Sequence, residues 1–183
     1  LHRNVKFPLG KGGKSKPHPT NQTNLIYQAH CYFMSYSGHC IGRANIKTGE
    51  VEYLQVPVQV DRKKGQPANW LWKKHIPSDT QNSRGMHIAP DKRAKGDGWG
   101  HVTSASPIAI GKRIYFTTMI GTTYVLDANA KVWDKNALLS VNDLGPAGKT
   151  WSLSGLSYAQ GRLFQRSLKE VVCIGKADRK AAK

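Results

Sequence analysis

Two His-Cys dipeptides stand nine positions apart in the stretch HCYFMSYSGHC, residues 30–40. Imidazole nitrogens and thiolates are the ligands of structural zinc sites, so metal binding is the first chemistry that this sequence suggests. A zinc ion needs its sulfur ligands at about 2.3 Å, which places strict limits on their separation. Whether the two pairs can meet at one ion therefore depends on the element that carries them.

The same stretch has the pattern of a β-hairpin that turns at residues 37–38. In that register Cys40 pairs with Ser35 and Cys31 pairs near Ala44. The two thiols then share a face but lie ~13 Å apart, at ~3.3 Å per residue. This distance is too long for a disulfide or for a shared zinc ion. Adjacent strand residues also face opposite ways, so we predict structural cysteines and no metal site, with both histidines on the sheet surface.

The composition is that of a basic chain with enough apolar residues for a core. The 183 residues include 28 Lys and Arg against 11 Asp and Glu, and the first 49 contain no acidic residue. A net charge of +17 favours anionic partners such as nucleic acid, anionic lipid or acidic polysaccharide. A high-salt habitat, or neutralisation by another part of a longer chain, explains the charge equally well. The chain begins at Leu1 without an initiator Met, so we expect a processed product or a fragment, with no transmembrane segment.

Strand-like segments alternate with polar ones along the chain. Residues 24–60 and 101–175 are rich in β-branched and aromatic residues, whereas residues 61–100 are punctuated by DRKKGQ, SDTQNSRG and DKRAKGDGWG. Long amphipathic patterns of helical period are absent. The chain therefore reads as all-β. The three cysteines form no CxxC and cannot all pair within one chain.

Aligning the strand-rich segments reveals an internal repeat. Its copies are CYFMSYSGHCIGRANIKTGEVEY, RIYFTTMIGTTYVLDANAKVW and GRLFQRSLKEVVCIG. A Tyr-Phe pair precedes a glycine by the same spacing in the first two copies, from Tyr32 to Gly38 and from Tyr115 to Gly121. A glycine at these turns supplies the positive φ that short hairpin loops need.

Further turn positions recur between the strands. Gly111 and Gly161 each follow a strand and lie 50 residues apart, about the length of one propeller blade. Asn45 and Gly49 place a side-chain acceptor and a glycine where the chain must reverse again. Each unit is thus a meander of antiparallel strands. Because one such sheet cannot bury both faces alone, the units are expected to stack as radial blades.

These units resemble the repeats of the PQQ-like (quinoprotein-like) β-propeller family, whose blades carry a pattern like Ala-x-Asp-x-x-Thr-Gly-x-x-x-Trp. In ANIKTGEVEY, Asn45 takes the Asp place and Tyr53 the Trp place, and LDANAKVW offers Asp127 and Trp133 without the Thr-Gly. We expect Asp127 in a turn and both aromatic residues packed between blades. VVCIGK resembles the last strand of a closing blade.

The resemblance covers roughly residues 25–60 and 101–176 and implies a partial β-propeller of about three or four antiparallel four-stranded blades. The distance of 83 residues from Tyr32 to Tyr115 allows either two short blades or one blade with an insertion, and we favour the insertion. The predicted organisation is a basic loop or tail at 1–22, a blade at 23–60, a polar basic insertion or degenerate blade at 61–100, two blades including the C-terminal closing one at 101–176, and a basic tail at 177–183.

For function, the resemblance implies a non-enzymatic binding or scaffold module of an exported or periplasmic protein, with the remaining blades as its partners. The alternative that it implies is a segment of a PQQ-dependent dehydrogenase, which would bind PQQ and calcium. The segment lacks the vicinal cysteines of those enzymes and a clear acidic and amide trio for a hard cation. We therefore assign no catalytic residue, metal or cofactor to this segment.

A second alternative is a propeller that binds carbohydrate or a polyanion. Trp70 and Trp72 alternate on an extended segment and can form a stacking surface beside Lys73 and Lys74. Pinning of the insertion onto the propeller by these tryptophans is the competing interpretation. Further cations of the insertion could converge with them, although no signature of a specific nucleic-acid module accompanies them: Arg62, Lys63, Lys64, Lys92, Arg93 and Lys95.

Overall fold

The computed structural model describes residues 22–35, 39–95 and 103–176. Within these ranges the regular structure is β-strand and short 3-10 helix, with no α-helix. The strands form two four-stranded sheets, one three-stranded sheet and one two-stranded sheet, and every pairing is antiparallel. The all-β fold class predicted from the repeats is confirmed.

The first sheet is a simple meander in chain order. In the β2–β3 hairpin Cys31 pairs with Ala44 and Ser35 with Cys40, which confirms the register predicted from the turn position. Gly38 lies outside the described residues. The strands are β1 (Leu25–Tyr27), β2 (His30–Ser35), β3 (Cys40–Asn45) and β4 (Val51–Gln55).

The second sheet repeats this meander, and its second strand begins 83 residues after the second strand of the first sheet. Gly121, in the turn between the two central strands, has a φ of 83°, a value that few residues other than glycine adopt. The connection before the last strand is longer than its counterpart in the first sheet and contains a 3-10 turn at Lys135–Ala137. The strands are β7 (Ile108–Ile110), β8 (Arg113–Thr117), β9 (Thr122–Asp127) and β10 (Leu138–Asp143).

The third sheet has three strands within the described residues: β11 (Ser157–Ala159), β12 (Arg162–Arg166) and β13 (Val171–Ile174). Its first hairpin corresponds to the β7–β8 hairpin, but the two glycines do not correspond. Gly111 is the first of the two turn residues after Ile110, whereas Gly161 is the second after Ala159. In the third sheet the first turn position is Gln160, with a φ of 50°.

The first two sheets pack face to face around one continuous core. Period-two alternation directs even-numbered residues of β2 toward β8 and β9, so that each sheet buries the face that the other covers. β1 and β7 lie beside each other at one end of this stack, where Tyr27 donates a hydrogen bond to the Gly111 carbonyl. Consecutive meanders stacked in this way are blades of a partial β-propeller. The core is formed mainly by Tyr32, Met34, Ile41, Leu54, Ile114, Phe116, Tyr124, Leu126 and Val141.

The segment between these two sheets contains a short hairpin, β5 (Gln59–Asp61) and β6 (Asn69–Leu71). Val56, Val58 and Val60 are fully buried in the shared core, so the alternating apolar residues of QVPVQV attach the hairpin. The Tyr124 hydroxyl donates to the Pro57 carbonyl at 2.5 Å. Among the described residues, no helix has the length and apolarity to cross a bilayer.

Tyr53 and Trp133, aligned in the sequence repeat, do not occupy equivalent positions. Tyr53 lies within β4, opposite Gly42, and contacts the ring of Phe33 on the face turned away from the second sheet. Trp133 lies in the connection before β10 and packs against the first sheet. The longer β9–β10 connection accounts for the difference, because it moves Trp133 off the strand.

Candidate binding surfaces

Residues that define the repeat bind the first two sheets to each other. The rings of Tyr32 and Trp133 lie 5.5 Å apart, and the Tyr32 hydroxyl donates to the Ala128 carbonyl at 3.3 Å. The Trp133 indole N–H donates to the carbonyl of Ile41 at 2.9 Å. Trp133 is 4% exposed, so these groups are used in packing and do not face a ligand.

Arg43 adds a buried charge to this contact, although none of the sequence motifs pointed to this residue. Its side chain is 4% exposed, and its Nη2 lies 2.5 Å from a carboxylate oxygen of Glu52, its partner across β3 and β4. Its Nη1 donates to the Ala130 carbonyl, and its guanidinium carbon lies 4.9 Å from the Trp133 ring centroid. The register of the β3–β4 hairpin was the available signal, because it places Arg43 opposite Glu52.

The Asx positions of the repeat stabilise turns. The Asn45 side-chain oxygen accepts hydrogen bonds from the backbone N–H groups of Lys47 at 2.9 Å and Thr48 at 3.1 Å. Asp127 accepts one from the N–H of Asn129 at 2.9 Å. Gly49 has a φ of 75° and completes the first of these turns. Both side chains therefore act on the local backbone.

The hairpin between the sheets carries what we call the insertion surface, formed by Trp70, Trp72, Lys73 and Lys74. The two tryptophans are 42% and 48% exposed, and both lysines are exposed. Their extended segment is held at both ends. The Leu71 carbonyl accepts from the Val58 N–H at 2.7 Å, and the Ile76 N–H donates to the buried Gln59 side chain at 2.8 Å.

The predicted cations of the insertion fall into two groups. The lysines are exposed, with Lys63 and Lys64 at the β5–β6 turn and Lys92 and Lys95 in a short 3-10 helix. Arg62 lies 3.3 Å from a carboxylate oxygen of Asp143 on β10, and Arg93 forms a 2.5 Å ion pair with Asp91. These two arginines are thus partly neutralised by acidic neighbours, which leaves lysines as the main cations beside the tryptophans.

The thiols and imidazoles of the stretch HCYFMSYSGHC lie on β2, on β3 and at residue 39 just before β3. All three cysteines are free, and among the described residues no group of three His, Cys, Asp or Glu side chains could hold a metal ion. Burial raises the pKa of the Cys40 thiol to about 11, although a hydrogen bond with Ser35 opposes the shift. Burial lowers the pKa of His39, opposed by its hydrogen bond with the backbone of Trp72. His39 thereby contacts the insertion surface.

A cleft of about 340 Å³ separates the second and third sheets. Tyr115, the counterpart of Tyr32, faces this cleft and is only half-buried. The third sheet contributes Leu163 and Ile174 to the opposite wall. The contact between these sheets is therefore looser than the contact between the first two.

Comparison with known proteins finds no family model and no curated protein that matches the chain. Among solved structures, BamB from Moraxella catarrhalis is 18% identical, and the match covers 93% of this chain and 47% of that chain at a TM-score of 0.34. The computationally designed Ika8 protein is 10% identical over 89% of this chain and 48% of its own, at a TM-score of 0.35. The designed Ika4 protein is 10% identical over 97% of this chain and 100% of its own, at 0.36.

The chain spans about half the length of the BamB and Ika8 chains that it matches. At these TM-scores the likenesses assign neither a family nor an activity.

Proposed function

We propose that the chain is a non-enzymatic binding scaffold of the PQQ-like propeller type, whose repeats build the frame and whose insertion surface binds an anionic polymer. The observation that carries this proposal is the division of aromatic residues. Tyr32 and Trp133 are buried in the contact between the first two sheets, whereas Trp70 and Trp72 remain 42% and 48% exposed beside lysines.

Stacking and charge act together on such a surface. An exposed indole offers a flat face to a sugar ring or a base, and neighbouring ammonium groups attract sulfate, carboxylate or phosphate. The net charge of +17 adds a long-range attraction that concentrates polyanions near the chain. The resemblance to PQQ-like repeats supports an exported, periplasmic location.

Additional blades are the other partners that we propose. The third sheet directs Leu163 and Ile174 toward the cleft, so Phe164 and Cys173 point to its outer face. Val171, on that outer face, is 65% exposed. The apolar side chains of Phe164 and Val171 on this face support the stacking of a further sheet.

Salt-dependent elution from immobilised heparin tests the proposal. Lys73→Glu/Lys74→Glu should elute at clearly lower salt than Lys112→Glu/Lys135→Glu, which makes the same change in net charge at exposed positions of the second sheet. Trp70→Ala/Trp72→Ala should also elute earlier, at unchanged charge. Equal elution of the two charge variants would show that only the net charge matters. Dye reduction after addition of PQQ and calcium would contradict the non-enzymatic role and favour the dehydrogenase.

A further inference from the structure

A groove of about 390 Å³ lies where the loop at residues 82–86 faces the end of β12. Arg84 and Arg166 line it together with serine hydroxyls, and Met86, Leu153 and Leu168 supply its apolar lining. Arg84 and Arg166 are 82 positions apart in the sequence and come together only through the fold. Among the described residues, neither guanidinium forms an ion pair.

The groove continues into a smaller depression. Ser167 and Leu168 line both, and the second also contains Lys149, Lys169 and Glu170. Four cations therefore lie along one connected surface with a single carboxylate among its lining residues. Opposite charge along an extended path is the usual complement of an acidic chain segment.

The loop that presents Arg84 is closed by its own hydrogen bonds. The Asn82 side-chain oxygen accepts from the N–H groups of Arg84 at 2.9 Å and Met86 at 3.0 Å, and the Asn82 N–H donates to the Met86 carbonyl at 2.9 Å. A bridge between Gln81 and His87 flanks this turn. The backbone that carries Arg84 is thus ordered before any ligand arrives, which lowers the ordering cost of binding.

The facing wall is fixed in a comparable way. The Ser154 hydroxyl donates to the Arg166 carbonyl at 3.0 Å, and the Leu168 N–H donates to the carbonyl of buried Trp151 at 3.0 Å. Met86 and Leu153, which line the groove, are each 59% exposed. Large apolar side chains exposed beside arginines mark a protein-contacting surface, because Arg and Met are enriched at interfaces.

From these features we infer that the groove binds an acidic peptide segment of a partner protein, with carboxylates on Arg84 and Arg166 and an apolar side chain against Met86 and Leu153. The planar guanidinium matches a carboxylate with two parallel hydrogen bonds. This site is separate from the insertion surface and does not depend on polymer binding there.

Fluorescence anisotropy with a labelled peptide of about ten residues, mostly Glu with two central Leu, tests this inference in ~0.15 M salt. Arg84→Glu/Arg166→Glu should weaken binding at least about tenfold. Lys63→Glu/Lys64→Glu makes the same change in net charge at the β5–β6 turn, outside the lining of the groove, and should change binding less than about twofold. A peptide with Ser in place of Leu should bind more weakly to the unmodified protein.

Three outcomes would overturn the inference. The first is an equal loss of peptide affinity in both charge-reversal variants, and the second is equal affinity for the Leu and Ser peptides. The third is displacement of the peptide by inorganic phosphate that carries the same total concentration of negative charge, which would indicate a site for free anions. If charge reversal prevents folding, the affinity of the Arg84→Lys/Arg166→Lys variant for the peptide tests the inference instead. These substitutions keep the charge but lose the planar fork, so weaker peptide binding supports the inference and unchanged binding contradicts it.

Discussion

At the scale of single residues, Trp133 makes three different contacts with the first sheet. Its ring lies 5.5 Å from that of Tyr32 in a tilted contact, its N–H donates to the Ile41 carbonyl, and its face lies under the Arg43 guanidinium. Each contact uses a different property of the indole, namely its area, its N–H and its electron-rich face.

Replacing Trp133 with Phe should therefore lower the free energy of unfolding by about 2 kcal/mol. The substitution leaves the buried Ile41 carbonyl without its donor and opens a small cavity. Urea denaturation of the variant measures the change. Trp70→Phe, at a position 42% exposed, is the matched control and should change stability by less than about 0.5 kcal/mol. Equal effects of the two substitutions would mean that Trp133 does not join the sheets.

The cysteines should differ in reactivity by position. Since the pKa of the buried Cys40 thiol is raised to about 11, only about one thousandth of it is thiolate at pH 8. Cys173 is exposed. Iodoacetamide at pH 8 should alkylate Cys173 first and Cys40 last in the folded protein, as mass spectrometry of peptides can show. Denaturation should abolish the order, and faster labelling of Cys40 in the native state would contradict its burial.

At the scale of elements, the turns after the third strand of each larger sheet use an Asx side chain as a substitute for backbone pairing. In the β3–β4 turn Asn45 accepts from two backbone N–H groups, and in the β9–β10 connection Asp127 accepts from one. The first turn therefore relies more on its side chain.

Asn45→Ala should cost about 1 kcal/mol of stability, because two backbone donors lose their acceptor. Asn45→Asp keeps a side-chain oxygen at the same position and is the matched control. We expect it to retain most of the stability in chemical denaturation. If both variants are equally destabilised, the amide nitrogen of Asn45 is what matters, and the proposed role of its oxygen is wrong.

At the scale of the whole molecule, two histidines connect stability to pH. Burial and then the charge of Arg43 lower the pKa of His30, and burial lowers that of His39. Their ordinary pKa is 6.5, so below that pH the unfolded chain binds more protons than the folded chain. Stability contributed by the neutral imidazoles is therefore present above pH 6.5 and lost as the pH falls below it.

We expect the unfolding free energy to fall between pH 7 and pH 5, as measured by urea denaturation at a series of pH values. His30→Gln/His39→Gln should flatten that part of the profile, since neither replacement titrates. The single variants show the share of each histidine. A profile of the double variant that stays as steep as the original would assign the pH dependence to other groups.

Much of the fold follows from local rules in the sequence. The pairing of Cys31 with Ala44 could be predicted because a two-residue strand period and one turn fix a hairpin register. The same rule, applied to β3 and β4, would have placed Arg43 opposite Glu52. Tyr53 and Trp133 take different places in the fold because connection length, unlike strand period, does not fix the position of a residue.

By itself, the sequence determined the antiparallel meanders, the register of the β2–β3 hairpin and the excess of positive charge, because each depends on neighbours along the chain or on composition. Only the tertiary structure decided which aromatic residues are buried between sheets and which remain exposed. It also decided that Arg84 and Arg166 line one groove across 82 positions of sequence. The reason is physical: such contacts come from the stacking of separate sheets, and stacking is set by whole faces and long loops that no local pattern records.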